Sequence, residues 1–232
     1  MNKFILSIAT AAAFMASGAI AATIVSVEAA GVQSTTIGFG QTAVENFDAL
    51  PLLPPPGMQT PVSASFTDFG VTATFSMTSI LAADEFGGAG GIGNQVAVRQ
   101  TGDFDISFTG RPLNYFGLWA SSLDGANTVR FFQGLTLLSS TNLTIIPLGP
   151  LYNGNPNGNF LNQNDSEKYA FFNFRVTEGF DRVVLSQNGG GGFELDNLTI
   201  GFVPEPGTWA MLITGFGMIG FAARRRRIAV AA

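Results

Sequence analysis

Lys168-Tyr169-Ala170-Phe171-Phe172-Asn173-Phe174-Arg175-Val176 is the stretch on which the fold turns. Successive side chains of a strand point to opposite faces. Ala170, Phe172, Phe174 and Val176 therefore share one face, and Tyr169, Phe171, Asn173 and Arg175 share the other. Val71 to Met77 follows the same rule, with Val71, Ala73, Phe75 and Met77 inward and Thr72, Thr74 and Ser76 outward. Neither stretch, nor any other between residues 23 and 202, sustains a helical period of 3.6.

Working outward, short alternating runs recur between Gly, Asn, Asp and Pro clusters. They predict strands at Thr23–Val27, Thr35–Phe39, Val44–Phe47, Val62–Phe66, Gln95–Gln100, Phe104–Phe108, Tyr115–Ala120, Thr128–Gln133, Leu135–Ser140, Leu143–Pro147, Arg182–Gln187 and Phe193–Ile200. Many strands without helices predict an all-β fold, an antiparallel β-sandwich of the jelly-roll kind. The chain's 22 Phe suit a sandwich core about 10 Å thick. The prolines of residues 51–61, the glycines of 87–93, the Asn/Gly-rich stretch 150–165 and Gly189 to Gly192 read as loops.

Composition excludes several chemistries. With 0 Cys and 0 His there is no Ser-His-Asp or Cys-His triad, no thiolate or imidazole zinc site and no disulfide. Between the two ends the only basic residues are Arg99, Arg111, Arg130, Lys168, Arg175 and Arg182, while all acidic residues but Glu205 precede Pro204. A body this acidic repels phosphate backbones, so no nucleic-acid partner is expected.

The ends carry a different message. Lys3 is followed by an uncharged, Ala- and Ile-rich run from Phe4 to Ile20, then the small-x-small pattern Ala19-Ile20-Ala21. That order predicts a signal helix over residues 1–22, cut by signal peptidase after Ala21 or Ala22; the alternative is a buried N-terminal helix. At the other end stands Pro204-Glu205-Pro206, then Trp209-Ala210, an uncharged run to Ala223, and Arg224, Arg225, Arg226 and Arg227. The prolines keep their segment extended and accessible. As a helix, Trp209 to Ala223 spans about 22 Å, short of the hydrocarbon core of about 30 Å. Trp209 at one interface and snorkelling arginines at the other make up part of the difference. The positive-inside rule keeps the arginines in the cytoplasm and places the body outside.

These C-terminal residues resemble the PEP-CTERM sorting domain in its PEPxxWA form, the alternative being an ordinary C-terminal anchor. The resemblance implies recognition by an exosortase, a membrane-embedded transpeptidase of Gram-negative bacteria, and cleavage near Pro204-Glu205-Pro206. It also implies a transient anchor in the inner membrane, release to the cell surface or the extracellular space, and a link to exopolysaccharide and biofilm. Val44 to Asp48, Phe116 to Ala120, Tyr169 to Phe174 and Phe193 to Leu198 resemble the jelly-roll-like bodies of such proteins. The expected layout is signal peptide 1–22, sandwich 23–202, sorting and anchor segment 203–227 with a transmembrane helix, and tail 228–232.

Within the body, Glu194 and Asp196 alternate with Leu195 and Asn197 and, by simple alternation, share a face with Leu198 and Ile200. If that face is the core side, two carboxylates enter the sandwich edge, which is costly unless they are compensated. A structural Ca²⁺ ion held with Glu45 and Asp48 from an early strand would compensate them; so would pairing with Arg175 or Arg182, or exposure to solvent. Gly88-Ala89-Gly90-Gly91-Ile92-Gly93 matches a dinucleotide fingerprint in letters only, because the following Gln95-Val96-Ala97-Val98 reads as a strand. Asp103 and Asp105 share a strand face and read as solvated. Tyr115, Trp119 and Tyr152 are of the type that stacks on sugar rings, and equally of the type that packs cores or rims. Three functions are compatible: a non-catalytic exported surface or matrix protein, a Ca²⁺-stabilised carbohydrate-binding module, and a glycoside hydrolase working with carboxylates alone.

Overall fold

A computed structural model describes residues 22–38, 41–53, 62–66, 70–76, 79–98, 103–125, 127–157, 167–189, 191–203 and 213–219. Its strands are β1 (Thr23–Val27), β2 (Gln41–Glu45), β3 (Val62–Phe66), β4 (Val71–Phe75), β5 (Ser79–Ala82), β6 (Asn94–Val98) and β7 (Asp103–Thr109), followed by β8 (Leu113–Leu123), β9 (Thr128–Gln133), β10 (Thr136–Asn142), β11 (Lys168–Phe180), β12 (Arg182–Ser186) and β13 (Phe193–Phe202). They form two sheets. The first runs β1-β11-β8-β13-β6-β5, with β2 also on β13; the second runs β10-β9-β12-β7-β4-β3. Every strand pairing is antiparallel. The sheets pack face to face, and the antiparallel sandwich expected from the alternation is the fold observed.

The deciding stretch behaves as its period demands. Ala170, Phe172, Phe174 and Val176 enter the common core, whereas Tyr169 and Phe171 join Trp119 in a separate cluster on the outer side of the first sheet. Val71, Ala73 and Phe75 likewise point inward. The middle of the core is a knot of rings. Phe131 of β9 lies 5.2 Å from Phe174 and 5.1 Å from Phe180, both of β11, and 5.8 Å from Phe116 of β8. Rings offset or tilted at such distances gain from their quadrupoles as well as from burial.

Three local expectations are corrected. Residues 35–38 form no strand, because Thr35 and Thr36 turn their hydroxyls to Asn173 and Glu28. Leu143–Ile145 is a 3-10 turn, started by Asn142, whose side chain accepts from the Thr144 N–H. β5 escaped notice because four residues are too few to show a period; its edge is pinned by reciprocal backbone bonds between Leu53 and Ile80. The expected signal helix lies outside the described residues except for Ala22.

The outer side of the first sheet is covered rather than solvated. Loops from residues 28–38, 83–93 and 150–157 lie across it and are tied to it and to one another. Tyr152 Oη donates to the Glu28 carbonyl, Gln33 Nε2 to Asn157 Oδ1, Asn157 Nδ2 to the Gly88 carbonyl, and Trp119 Nε1 to the Gly87 carbonyl. Beneath them Glu28, Gln95, Ser121, Asn173, Glu194 and Asp196 are all buried.

Candidate functional site at the last strand

β13 carries both the proposed carboxylates and the approach to the C-terminal motif. Phe193 and Leu195 point into the core. At Asn197 the backbone takes φ 46°, a left-handed conformation that Asn tolerates better than most residues. The pairing with β8 slips there, between Asp196 and Thr199. This bulge adds one residue and reverses the phase. Leu198 and Ile200 therefore reach the core, but Glu194 and Asp196 do not share their face. They lie on the outer side, under the loops.

Asp196 is held there by backbone amides. Its Oδ2 accepts from the Ala89 N–H at 2.8 Å and its Oδ1 from the Asn197 N–H at 2.6 Å. Burial pushes its carboxyl up to about 7; the two amides oppose this, and the charges of Asp48 and Glu45 add to it. The Gly-rich loop that resembles a nucleotide fingerprint is thus a cap for a buried carboxyl. A 3-10 turn at Ala89–Gly91 supplies the amide, and strand β6 follows, as its sequence indicated.

The early and last strands do meet, since Glu45 of β2 pairs with Leu198 of β13. Glu45, Asp48 and Asp196 nevertheless have their own donors within the chain. Glu45 Oε1 accepts from the Phe47 N–H, Asp48 Oδ1 from the Asn94 N–H and Asp48 Oδ2 from Asn46 Nδ2. Glu194 sits beside Gly192, where an added Cβ would lie 2.4 Å from Glu194 Oε1. Among the described residues no three His, Cys, Asp or Glu side chains converge to hold a metal ion. Amide hydrogens of the chain point at oxygens of Glu45, Asp48 and Asp196, which leaves these carboxylates fewer free lone pairs for a Ca²⁺ ion. Nor does Arg182 serve this cluster: its guanidinium takes Asp105, as Arg130 takes Asp103 at 2.9 Å. Trp119 and Tyr115 are fully buried and offer no face to a sugar; Tyr152 is half-buried.

A second carboxyl was missed from the sequence. Glu28 receives the Thr36 N–H at 2.8 Å, the Thr36 hydroxyl, and Asn173 Nδ2 at 3.0 Å. Burial works against its charge, but these donors together outweigh it and hold the carboxyl below the usual range. Asn173 Oδ1 in turn accepts from Tyr115 Oη at 2.6 Å and Thr35 Oγ1 at 2.9 Å. The one available signal was Asn173, a polar residue within a run of phenylalanines.

At the end of β13 the chain is gripped once more. The last ladder pair with β8 is Gly201 with Tyr115. Asn114, just before Tyr115, donates from Nδ2 to the Val203 carbonyl and accepts at Oδ1 from the Val203 N–H, both at 2.7 Å. The Arg111 guanidinium carbon lies 3.3 Å from the centre of the Phe202 ring. Pro204 comes next in the sequence. Pro204, Glu205, Pro206, Trp209, Ala210 and Arg224 to Arg227 lie outside the described residues, as do Ala19 and Ala21. Residues 213–219 are helical, with Ile213, Phe216, Met218 and Ile219 each at least 66% exposed, a run of apolar surface that water alone does not satisfy.

Residues 202–227 match the family model of the PEP-CTERM protein-sorting motif. The chain carries a PEP-CTERM sorting motif. That match begins at Phe202, the last residue of β13, so the PEP-CTERM segment follows the sandwich with no linker. The motif makes the chain an exported protein processed by an exosortase, and makes the segment a membrane-anchored sorting signal. Among the described residues no helix is long and apolar enough to cross a membrane, the described helical part of the segment being residues 213–219. Comparison with curated proteins and with solved structures gave no match.

Proposed function

We propose that the chain is a non-catalytic surface or matrix protein of a Gram-negative bacterium. In this reading a signal peptide over residues 1–22 exports it and a helix within 209–223 holds it in the inner membrane. An exosortase then removes the tag, and the sandwich is delivered to the cell surface or the medium. The observation that carries this reading is the sorting motif itself, whose match begins at Phe202, the last residue of the sandwich's final strand. The non-catalytic part is supported by the state of the acidic groups. Asp196, Asp48, Glu45 and Glu28 are tied to amides, hydroxyls or carboxamides of the chain itself, and Asp103 and Asp105 to arginines. A glycoside hydrolase needs two carboxyls facing a cleft with room for the substrate. Association with exopolysaccharide belongs to the same reading and rests on the family resemblance alone.

The test is the mass of the protein recovered from the host. The expected product starts near Thr23 and ends near Pro204-Glu205-Pro206, so that both ends have been cut. Recovery of the entire 232-residue chain from the cytosol would overturn the reading.

A further inference from the structure

We propose that Asn114 is a latch on the sorting tag, and that its opening limits the rate at which the tag is cut. The proposal rests on exosortase processing of this chain and names a positioning residue for it.

A carboxamide carries the same donor and acceptor as a peptide unit. Asn114 uses both on one residue, Val203, and so continues the pairing of β13 one residue past the strand's end at Phe202. Pro204 has no N–H and cannot extend it. The latch therefore closes on the last residue that can be latched, and that residue directly precedes Pro-Glu-Pro. Phe202 is paired with Gln41 of β2, and Arg111 covers its ring.

Extended peptides are commonly bound by backbone hydrogen bonds to an adjacent strand. The residues on the N-terminal side of the motif already spend those groups inside the sandwich. No linker lies between them and the motif to provide free backbone instead. A protease that grips both sides of Pro204-Glu205-Pro206 must first lift Val203 from Asn114. Removing two hydrogen bonds to a part-buried peptide unit shifts such an opening by about tenfold.

The experiment follows tag removal by pulse-chase in the host, with the full precursor, and amide exchange at Val203 in the full chain in detergent. Three chains are compared with the parent: Asn114→Ala, a ten-residue Gly/Ser insertion between Val203 and Pro204, and both together. Asn114→Ala is expected to speed exchange at Val203 and tag removal by about tenfold each. The insertion is expected to speed removal with Val203 still protected, because the protease then grips the linker. In the inserted chain Asn114→Ala should add nothing, a result that general loosening of the sandwich would not give. Removal at or below the parent rate in Asn114→Ala, or an equal acceleration with and without the insertion, would overturn the latch. Should Asn114→Ala not fold, an insertion without effect on the rate overturns it as well. A parent chain whose tag is never cut refutes the sorting reading itself, whatever the exchange at Val203 shows.

Discussion

Asp196 and Glu28 are both buried carboxyls, yet they bend the stability of the sandwich in opposite directions. Asp196 titrates near 7 in the folded chain, against 3.8 for an ordinary Asp. The folded state thus binds its proton more tightly than the unfolded state. Its contribution is complete below about pH 4 and is lost as pH rises through 7. Glu28 is shifted below its ordinary 4.5, so its contribution is present above that value and is lost as pH falls. Stability should therefore peak in weakly acidic solution. Asp196→Asn separates the two. It leaves one oxygen for two amide donors, so the variant should be less stable than the parent at pH 4. Its decline between pH 4 and 8 should nevertheless be flatter than the parent's, by at most about 4 kcal/mol. Urea midpoints across that range measure the slope. A variant that keeps the parental slope would show that another group titrates there.

At the scale of the element, alternation alone made the core side of β4 legible, because a strand buried on one face leaves a period-two trace; β11 is buried on both faces, and there alternation sorted the side chains into two sets without marking the core side. The same rule failed at β13. One residue, Asn197, takes a left-handed conformation and turns the carboxylates outward, and a period has no memory of a bulge. The covered outer face was also hidden, since Tyr169, Phe171 and Asn173 look alike whether water or loops lie over them. Its tightness is carried by β8. Gly117 faces that layer, and a Cβ there would lie 2.6 Å from Tyr115 Oη and 2.8 Å from Phe171 Cε1. Both groups are fully buried, and Tyr115 Oη is committed to Asn173. Gly117→Ala is expected to lower stability by about 2–3 kcal/mol, the range for overpacking a closed site. Tyr115→Phe, which frees space at the hydroxyl, should return part of that loss. A neutral Gly117→Ala by calorimetry would mean that the loops ride loosely on the sheet. The sorting motif, by contrast, was legible letter by letter, because membranes and proteases read local sequence and not the fold.

For the whole molecule, the positions of the two ends set an orientation. Ala22 is bonded to Thr177, in the last few residues of β11, and Val203 to Asn114 at the start of β8. Thr23 pairs with Val176, Arg175 with Tyr115, and Tyr115 with Gly201. Both ends thus leave the same end of the first sheet, three strand spacings or about 14 Å apart. From Val203 to Trp209, six residues reach no more than about 20 Å. While the tag is in the bilayer, that end of the sandwich must face it at short range. The β9–β10 hairpin tip lies at this end, because Phe132 pairs with Arg182 just after β11, and it presents Leu135 at 96% exposure. Asn188, exposed beyond the far end of β12, lies at the other. A chain with 0 Cys allows a clean test with single cysteines. In spheroplasts, a bulky membrane-impermeant maleimide should label the Asn188→Cys precursor readily and the Leu135→Cys precursor slowly. Once the tag is removed, the two chains should react alike. Equal labelling already in the precursor would mean that the six residues before Trp209 let the sandwich turn freely, and that the shared exit of its ends imposes no orientation on the membrane.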